Sequence, residues 1–192
     1  MRLFLVLPAC CAIFIALAFQ DPARNIADGP EFTASGQLEF PKDYREWVFL
    51  SAGLGMTYGP RAPADAAQNP PFSNVFVNPG AYRSFLASGN WPDGTIFMLE
   101  VRASRSEGSI NRGGHFQTDL LDREVHVKDE KRFPGKWAFF AFGNDTKPAK
   151  QIPTSAACYS CHEQHGAVDT TFVQFYPTLL RAAEEKHTLR PE

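Results

Sequence analysis

The sequence predicts an α+β fold, mainly an antiparallel β-sheet with flanking helices, one of which lies near the C-terminus. Four strand-like segments follow one another at residues 95–104, 113–119, 123–129 and 136–142. The links between them contain the turn residues Gly108, Asp122, Pro134 and Gly135. Consecutive strands with short links favour antiparallel pairing. At the end of the chain, apolar side chains in residues 172–183 keep the spacing of one helix face, and Pro177 starts or kinks that helix.

The segment before these strands predicts a helix, a loop and a further strand. Residues 42–52 place aromatic and aliphatic side chains on one face, which predicts a short helix. Residues 53–71 hold several glycines and prolines, which predicts a loop. Residues 72–77 consist mainly of phenylalanine and valine, a composition that is typical of a strand.

A second helix is predicted directly after that strand. Asn78 and Pro79 offer a cap and a proline at the first helical position, where the missing N–H costs nothing. Gly89 is a suitable left-handed residue to end the helix. The Trp-Pro-Asp-Gly sequence at residues 91–94 then predicts a turn into the run of strands.

The composition is that of a globular domain without a strong charge. The chain has 192 residues, which suits one domain, and no internal repeat is visible. Its formal net charge is −2, and basic residues are scattered among acidic ones, so nothing indicates a nucleic-acid partner. The 17 Phe, 5 Tyr and 3 Trp residues suit a well-packed core.

The first residues are typical of a secretory signal. Arg2 provides a positive charge, residues 3–18 form an apolar run, and small residues at its end suit cleavage. The run is shorter than the ~20 apolar residues that cross a bilayer. We therefore expect a periplasmic protein with no membrane span after signal removal. The predicted parts are a signal peptide at 1–18, a flexible lead-in at 19–37 and a single domain at 38–192.

Two cysteines remain after the signal, which removes Cys10 and Cys11. Cys158 and Cys161 are followed at once by His162, giving the sequence C-x-x-C-H. Two thiols at this spacing can form thioether bonds with the vinyl groups of haem, and the adjacent histidine can bind its iron. The motif therefore predicts one covalent haem c, carried on a helix near the C-terminus, with His162 as the metal ligand.

Two other uses of the cysteine pair agree less well with the sequence. A zinc site would take Cys158, Cys161, His162 and His165, but adjacent cysteine and histidine ligands are awkward on one tetrahedral ion. A redox-active C-x-x-C requires the strand–helix context of a thioredoxin-like fold, which the sequence does not predict. Haem remains the better interpretation.

The function depends on the side of the iron opposite His162. A second protein ligand there would make an electron carrier, whereas an open position would make a gas-binding protein or an enzyme. The residues that can act as ligands are Met56, Met98, His115, His126 and the lysines. Their spacing alone does not decide between them.

One carboxylate lies on a strand with clear alternation. Glu124 shares one predicted face with His126 and Lys128, while Val125 and Val127 share the other. The pattern alone indicates a solvated face for the three polar side chains.

Five ordered blocks of the sequence carry a family resemblance. They read YREWVFLSAG, NWPDGTIFMLEVR, EVHVKDEKRF, GKWAFFAFG and CYSCHEQHGAVDTTFVQFYP. Over residues 38–182 the chain resembles the cytochrome P-460 family, which includes the cytochromes c′-beta. The resemblance implies a mainly antiparallel β fold, usually homodimeric, around a five-coordinate haem c with an open distal side. It also implies that Cys158 and Cys161 carry the thioether bonds and that His162 is the proximal ligand.

Two positions separate the branches of that family. Its hydroxylamine-oxidising members carry a lysine that is cross-linked to the haem, in the strand after the Asp-Gly-Thr turn. Leu99 takes that position here, and leucine has no nitrogen to form the bond. Those members also use a distal glutamate as a proton acceptor, and the resemblance places Glu124 at that position.

The expected function is that of a mono-haem c-type cytochrome that binds nitric oxide or a related small nitrogen ligand. Leu99 argues against hydroxylamine oxidation and Glu124 supports it, so the sequence does not decide whether the protein is an enzyme. A soluble redox partner fits either activity, and a homodimer is expected. The alternative is a simple electron-transfer cytochrome with a sixth ligand from the protein.

Overall fold

A computed structural model describes residues 28–57 and 68–191 of the chain. The signal peptide predicted at 1–18 lies outside them, as does most of the lead-in. Five antiparallel strands form one sheet in chain order, which confirms the predicted α+β class. The strands are β1 (Val48–Leu54), β2 (Phe72–Val77), β3 (Ile96–Arg105), β4 (Phe116–Lys128) and β5 (Trp137–Ala141). The α-helices are α1 (Pro79–Ser88), α2 (Ala157–His165) and α3 (Pro177–Glu185), with 3-10 turns at Tyr44–Glu46 and Val173–Phe175.

Strand β2 and helix α1 were predicted correctly. Strand β2 has the predicted bounds, and α1 begins at Pro79. Gly89 ends the helix with φ of 74°, and its N–H donates to the carbonyl of Phe85 over 2.7 Å. The predicted turn closes one residue later than expected, because the N–H of Thr95 donates to the carbonyl of Pro92.

The helix predicted at residues 42–52 is wrong. Only Tyr44–Glu46 is helical, as one 3-10 turn, and the chain then enters β1. Strand β1 pairs along β2, beginning with Val48 opposite Val77. Leu50 is buried while Phe49 is half exposed. Ladder hydrogen bonds to β2 thus outweigh the local helical spacing, since tertiary pairing readily overrides propensity.

The two strands predicted at 113–119 and 123–129 are one strand, β4. The predicted link at Asp122 is paired with Val101, and Leu120 is paired with Arg102. Leu121 is therefore an extra residue on β4, and the register shifts there. A β-bulge of this kind accommodates an extra residue without ending the strand, which explains why the link is not a turn.

The sheet is covered on both faces. One face packs against the N-terminal part of the chain, in a core that includes Leu38, Trp47, Met98 and Phe140. Residues 28–37 take part, since the Phe32 ring lies 6.1 Å from the ring of Phe140. The other face packs against α1 and α3 through residues such as Phe85 and Leu179. Within the described ranges, no helix has the length and apolar character needed to cross a membrane.

Candidate haem site

On the face of the sheet that packs against α1 and α3, the register between strands places side chains in rows that run across the strands. One row, here the histidine row, consists of Val77, Phe97, His126 and Phe139. The next, here the glutamate row, consists of Ser51, Val75, Leu99 and Glu124. The rows are two residues apart along the strands, or about 6.8 Å. Leu99 and Glu124 are thus direct neighbours on adjacent strands.

Helix α2 closes a cavity against these rows. The cavity has a volume of about 290 Å³, and Cys158, Cys161 and His162 line it from the helix. Leu99 and Glu124 line it from the sheet. The structure therefore brings all five predicted site residues to one space, although they come from three elements and from distant parts of the sequence.

His162 is fixed by a hydrogen bond to backbone. Its Nδ1 lies 2.7 Å from the carbonyl oxygen of Thr170. A carbonyl oxygen only accepts, so Nδ1 carries the proton and the Nε2 lone pair is left to bind a metal. Burial lowers the pKa of His162, against the opposing effect of this hydrogen bond, which favours the neutral form that coordinates iron. The rings of Phe139 and Phe172 lie 4.7 and 4.3 Å from the imidazole.

Tyr159, within the motif, holds α2 to the sheet. Its hydroxyl donates to the carbonyl of Ile152 over 3.0 Å and accepts from the N–H of Phe139 over 3.3 Å. The N-cap residue of α2 is Ala156, and no side chain caps the helix. The helix is oriented by these tyrosine contacts instead.

The motif cysteines are not joined to each other. Both are free and partly exposed, and burial raises the pKa of the Cys158 thiol. In the described part of the chain, no group of three or more His, Cys, Asp or Glu is placed to hold a metal ion. His165 points to solvent at the end of α2. The zinc alternative therefore has no support in the geometry.

Glu124 is a half-buried carboxylate at the cavity wall. Burial raises its pKa, and the nearby carboxylate of Asp122 raises it further. The solvated face predicted for this strand is wrong, because His126 and Lys128 are each only 7% exposed. His126 instead packs against His162 of α2, and Lys128 pairs with Asp169 in the chain that follows α2.

The methionine and histidine candidates for a sixth ligand, four in all, differ in whether they line the cavity. Met98 is buried in the core on the other face of the sheet. His115 lies outside the cavity, with Nε2 3.0 Å from the carbonyl oxygen of Gln68. Met56 and His126 both line the cavity.

His126 lies beside His162 and not opposite it. The two ring centroids are 5.0 Å apart. The ring centroids of two imidazoles on opposite sides of one metal ion would be about 6 Å apart, because each ligating nitrogen lies ~2.0 Å from the metal and each centroid lies beyond its nitrogen. His126 also stacks on Phe139 with ring centroids 4.0 Å apart. Its pKa is well below the ordinary value, through burial first and the neighbouring His162 second. Of the four candidates, only Met56 remains placed for that role.

Sequence reasoning missed several residues of the site. Thr170 acts through its backbone carbonyl, so no side-chain pattern could have revealed it. Val75 and Ser51 reach the cavity through strand register, which a single strand does not disclose. Phe172 and Tyr176 were predicted only as one face of a helix, and they also line the cavity.

The donor set fits a flat, largely apolar, metal-containing group. It offers one imidazole nitrogen, two thiols and a mostly aliphatic and aromatic wall. The sequence matches the family described as Cytochrome P460 over residues 41–173, which include the five strands and α2. No curated protein matches the chain. Because this match covers most of the chain and implies a haem cofactor, the chain belongs to the cytochrome P460 family.

Proposed function

We propose that the protein is an exported, periplasmic cytochrome that carries one covalent haem c. Cys158 and Cys161 would hold the group through thioether bonds, and Nε2 of His162 would be its proximal ligand. The observation that supports this is the convergence of these three side chains on one apolar cavity, with Nδ1 of His162 bound to Thr170. When bound, haem supplies an iron that takes up a small ligand or exchanges electrons.

The wall beyond the histidine row supports an open distal side. Val75 and Leu99 make the middle of this wall apolar, between Ser51 and Glu124, and His126 lies beside His162. An apolar wall favours uncharged diatomic ligands, because a charged ligand would lose its hydration there without compensation. We therefore propose nitric oxide, or a related small nitrogen ligand, as the ligand of this site.

One observation favours oxidation of hydroxylamine as a second activity. Glu124 faces the cavity, and burial raises its pKa, which makes the carboxylate a better proton acceptor. Leu99, its direct neighbour, holds no nitrogen that could attach to the cofactor. The proposed activity therefore depends on Glu124 and on two thioether links, without a third covalent link.

The first experiment examines the cofactor and its open position. The full-length gene is expressed in a host that exports the protein and attaches haem c, and the purified protein is digested and mapped by mass spectrometry. We expect one haem on the peptide with Cys158 and Cys161. We also expect the spectrum of the reduced protein to change when carbon monoxide or nitric oxide is added.

A low-spin spectrum that carbon monoxide does not change would contradict the open site. It would favour the electron-transfer alternative, with Met56 as the sixth ligand. The variant Met56→Leu distinguishes the two cases, because it changes the spectrum only if the Met56 sulfur binds the iron. A haem–lysine peptide in the digest would contradict the argument from Leu99.

The second experiment examines hydroxylamine. Turnover is measured without oxygen, using an artificial electron acceptor, for wild type and for Glu124→Gln. Asp119→Asn, an exposed carboxylate on the same strand, is the matched control. We expect turnover that Glu124→Gln reduces by about 10²-fold or more, as for loss of a general base, and that the control retains. No turnover combined with tight nitric oxide binding would leave only the gas-binding activity.

A further inference from the structure

We propose that the ion pair between Lys128 and Asp169 positions the Thr170 carbonyl against His162 and so sets the reduction potential of the haem. Lys128 and Asp169 are positioning residues, since neither touches the cofactor in this scheme. The inference rests on the proposed ligation of haem by His162. Its observations are the contacts of the loop at residues 166–171, here the anchor loop, which follows α2 directly.

The anchor loop folds back tightly onto the end of α2. Its ends are joined by two hydrogen bonds. The N–H of Ala167 donates to the carbonyl of Thr171, and the N–H of Thr171 donates to the carbonyl of Val168. A Cβ added at Gly166 would lie 2.7 Å from the carbonyl oxygen of His162 and 2.8 Å from the carbonyl carbon of Thr170. Both neighbours are backbone atoms, so only glycine fits at this contact.

The ion pair joins this loop to the sheet. Lys128, at the end of β4, is 7% exposed, and its Nζ donates to the Asp169 carboxylate over 3.0 Å. The same Nζ donates to the carbonyl of Trp91 over 2.8 Å, while Glu130 lies further away at 3.5 Å. Asp169 has φ of +52°, a left-handed conformation that costs energy for most residues. The ion pair holds that residue immediately before Thr170.

A second contact holds the other side of the Thr170 peptide. The buried indole N–H of Trp91 donates to the hydroxyl of Thr171 over 2.8 Å. That hydroxyl in turn donates to the carbonyl of Val168 over 2.7 Å. The acceptor carbonyl of Thr170 is therefore fixed on both sides, and its position depends on Lys128, Asp169 and Trp91, none of which lines the cavity.

The acceptor carbonyl determines how strongly His162 donates to a metal. A hydrogen bond from Nδ1–H to a well-placed acceptor makes Nε2 a stronger ligand. A stronger proximal ligand stabilises the oxidised iron and lowers the reduction potential. Loosening the anchor loop should therefore raise the potential.

A purely electrostatic effect of Lys128 and Asp169 would change the reduction potential in a different way. Removing the positive charge of Lys128 alone would favour the oxidised, more positive iron and lower the potential. Removing the negative charge of Asp169 alone would raise it. The sign of the change for a Lys128 variant therefore distinguishes positioning from a through-space effect.

The test measures the midpoint potential and the iron–histidine stretching band in the resonance Raman spectrum. The haem-loaded variants are Lys128→Met, Asp169→Asn and the double variant, with Lys128→Arg as the conservative replacement. Asparagine is chosen because it tolerates a left-handed backbone. Glu185→Gln, in an exposed ion pair on α3, is the control. We expect a higher potential and a lower stretching frequency for the first three, and wild-type values for Lys128→Arg and the control.

Two results would overturn the proposal. One is a lower potential in Lys128→Met with a higher one in Asp169→Asn, and the other is no change in either. If Lys128→Met does not fold, the double variant decides, because its charge effects cancel and only lost positioning would raise the potential. A wild-type protein without haem on residues 158–162 would instead refute the proposed ligation by His162.

Discussion

Glu100 is a fully buried carboxylate on the face of β3 opposite to Leu99. It accepts hydrogen bonds from the hydroxyl of Tyr44 over 2.6 Å and from Nε of Arg102 over 2.7 Å, and it also pairs with Arg45. Although burial works in the opposite direction, these hydrogen bonds hold the pKa of Glu100 below its ordinary value. The carboxylate therefore joins the first 3-10 turn to the centre of the sheet in its charged form.

We expect Glu100→Gln to destabilise the protein by about 3 kcal/mol, the low end of the range for breaking a buried ion pair. The low end applies because the Arg45 side chain is 52% exposed and can be rehydrated. The loss should be largest at neutral pH and shrink as the pH falls through the folded pKa of wild type, where wild type also loses the ion pair. Urea unfolding at several pH values measures it. Equal stability of the two proteins at pH 7 would contradict the prediction.

Glu124 has the opposite linkage to pH. Because burial raises its pKa, the folded protein keeps a proton on Glu124 at pH values where the unfolded chain has lost it. The stability that this provides is present below the unfolded pKa, about 4.3, and is lost as the pH rises through the folded value. We expect Glu124→Gln to gain stability relative to wild type between pH 4 and pH 7. A difference that stays constant over this range would show that the pKa is not raised.

At the scale of residues, the sequence predicted functional side chains but not functional backbone groups. Cys158, Cys161 and His162 were predicted from the sequence because their reactivity and spacing are properties of the residues themselves. Glu124 required the family resemblance, since alternation alone indicated a solvated face. The acceptor carbonyl of Thr170 depends on the path of the chain, because every residue, whatever its side chain, offers the same group.

Gly166 decides how closely the anchor loop approaches α2. A Cβ at this position would be within 2.8 Å of three backbone atoms, and backbone cannot move aside as a flexible side chain can. We expect Gly166→Ala to destabilise the haem-loaded protein by about 1–3 kcal/mol, as for other overpacked sites. Thermal and urea unfolding measure the loss. Gly135→Ala is the control, because a Cβ there meets no atom within 4 Å.

At the scale of elements, the sequence predicted an element correctly where that element is determined by contacts between residues close together in the chain. Helix α1 was predicted from a proline at its start and Gly89 at its end, because caps act within one turn. The helix at residues 42–52 was wrong because those residues satisfy their backbone on a neighbouring strand. The division of β4 was wrong because a polar residue that resembles a link sits beside a bulge. Register and bulges are properties of two strands, so one strand's sequence does not contain them.

At the scale of the whole molecule, β4 is longer than the strand that covers its edge. Strand β5 pairs only with residues 124–128, so no described strand pairs with that edge over residues 116–122. Phe116 and Leu121 on this part are 41% and 50% exposed. Apolar side chains on an uncovered edge are typical of a site where strands of two molecules associate.

We expect sedimentation to give twice the mass of one chain, and Leu121→Asp to shift the protein towards monomer. The aspartate would place a charge in the contact, while the fold should tolerate it because Leu121 is already exposed. Ile110→Asp, at a side chain 91% exposed in the preceding loop, is the matched control. A monomeric wild type, or an equal shift in both variants, would contradict association through β4.

The chain order of the strands has a consequence for how the cofactor is received. Every strand pairs with its predecessor, and the last of them ends at residue 141, before Cys158, the first of the two cysteines proposed to bind haem. Pairings between consecutive segments form rapidly, and a chain is synthesised from its N-terminus. The surface that carries Leu99 and Glu124 is thus complete in sequence before Cys158 appears. Under the proposed attachment to Cys158 and Cys161, only the final fifth of the protein would need to remain accessible while haem is attached, because the receiving surface is already assembled.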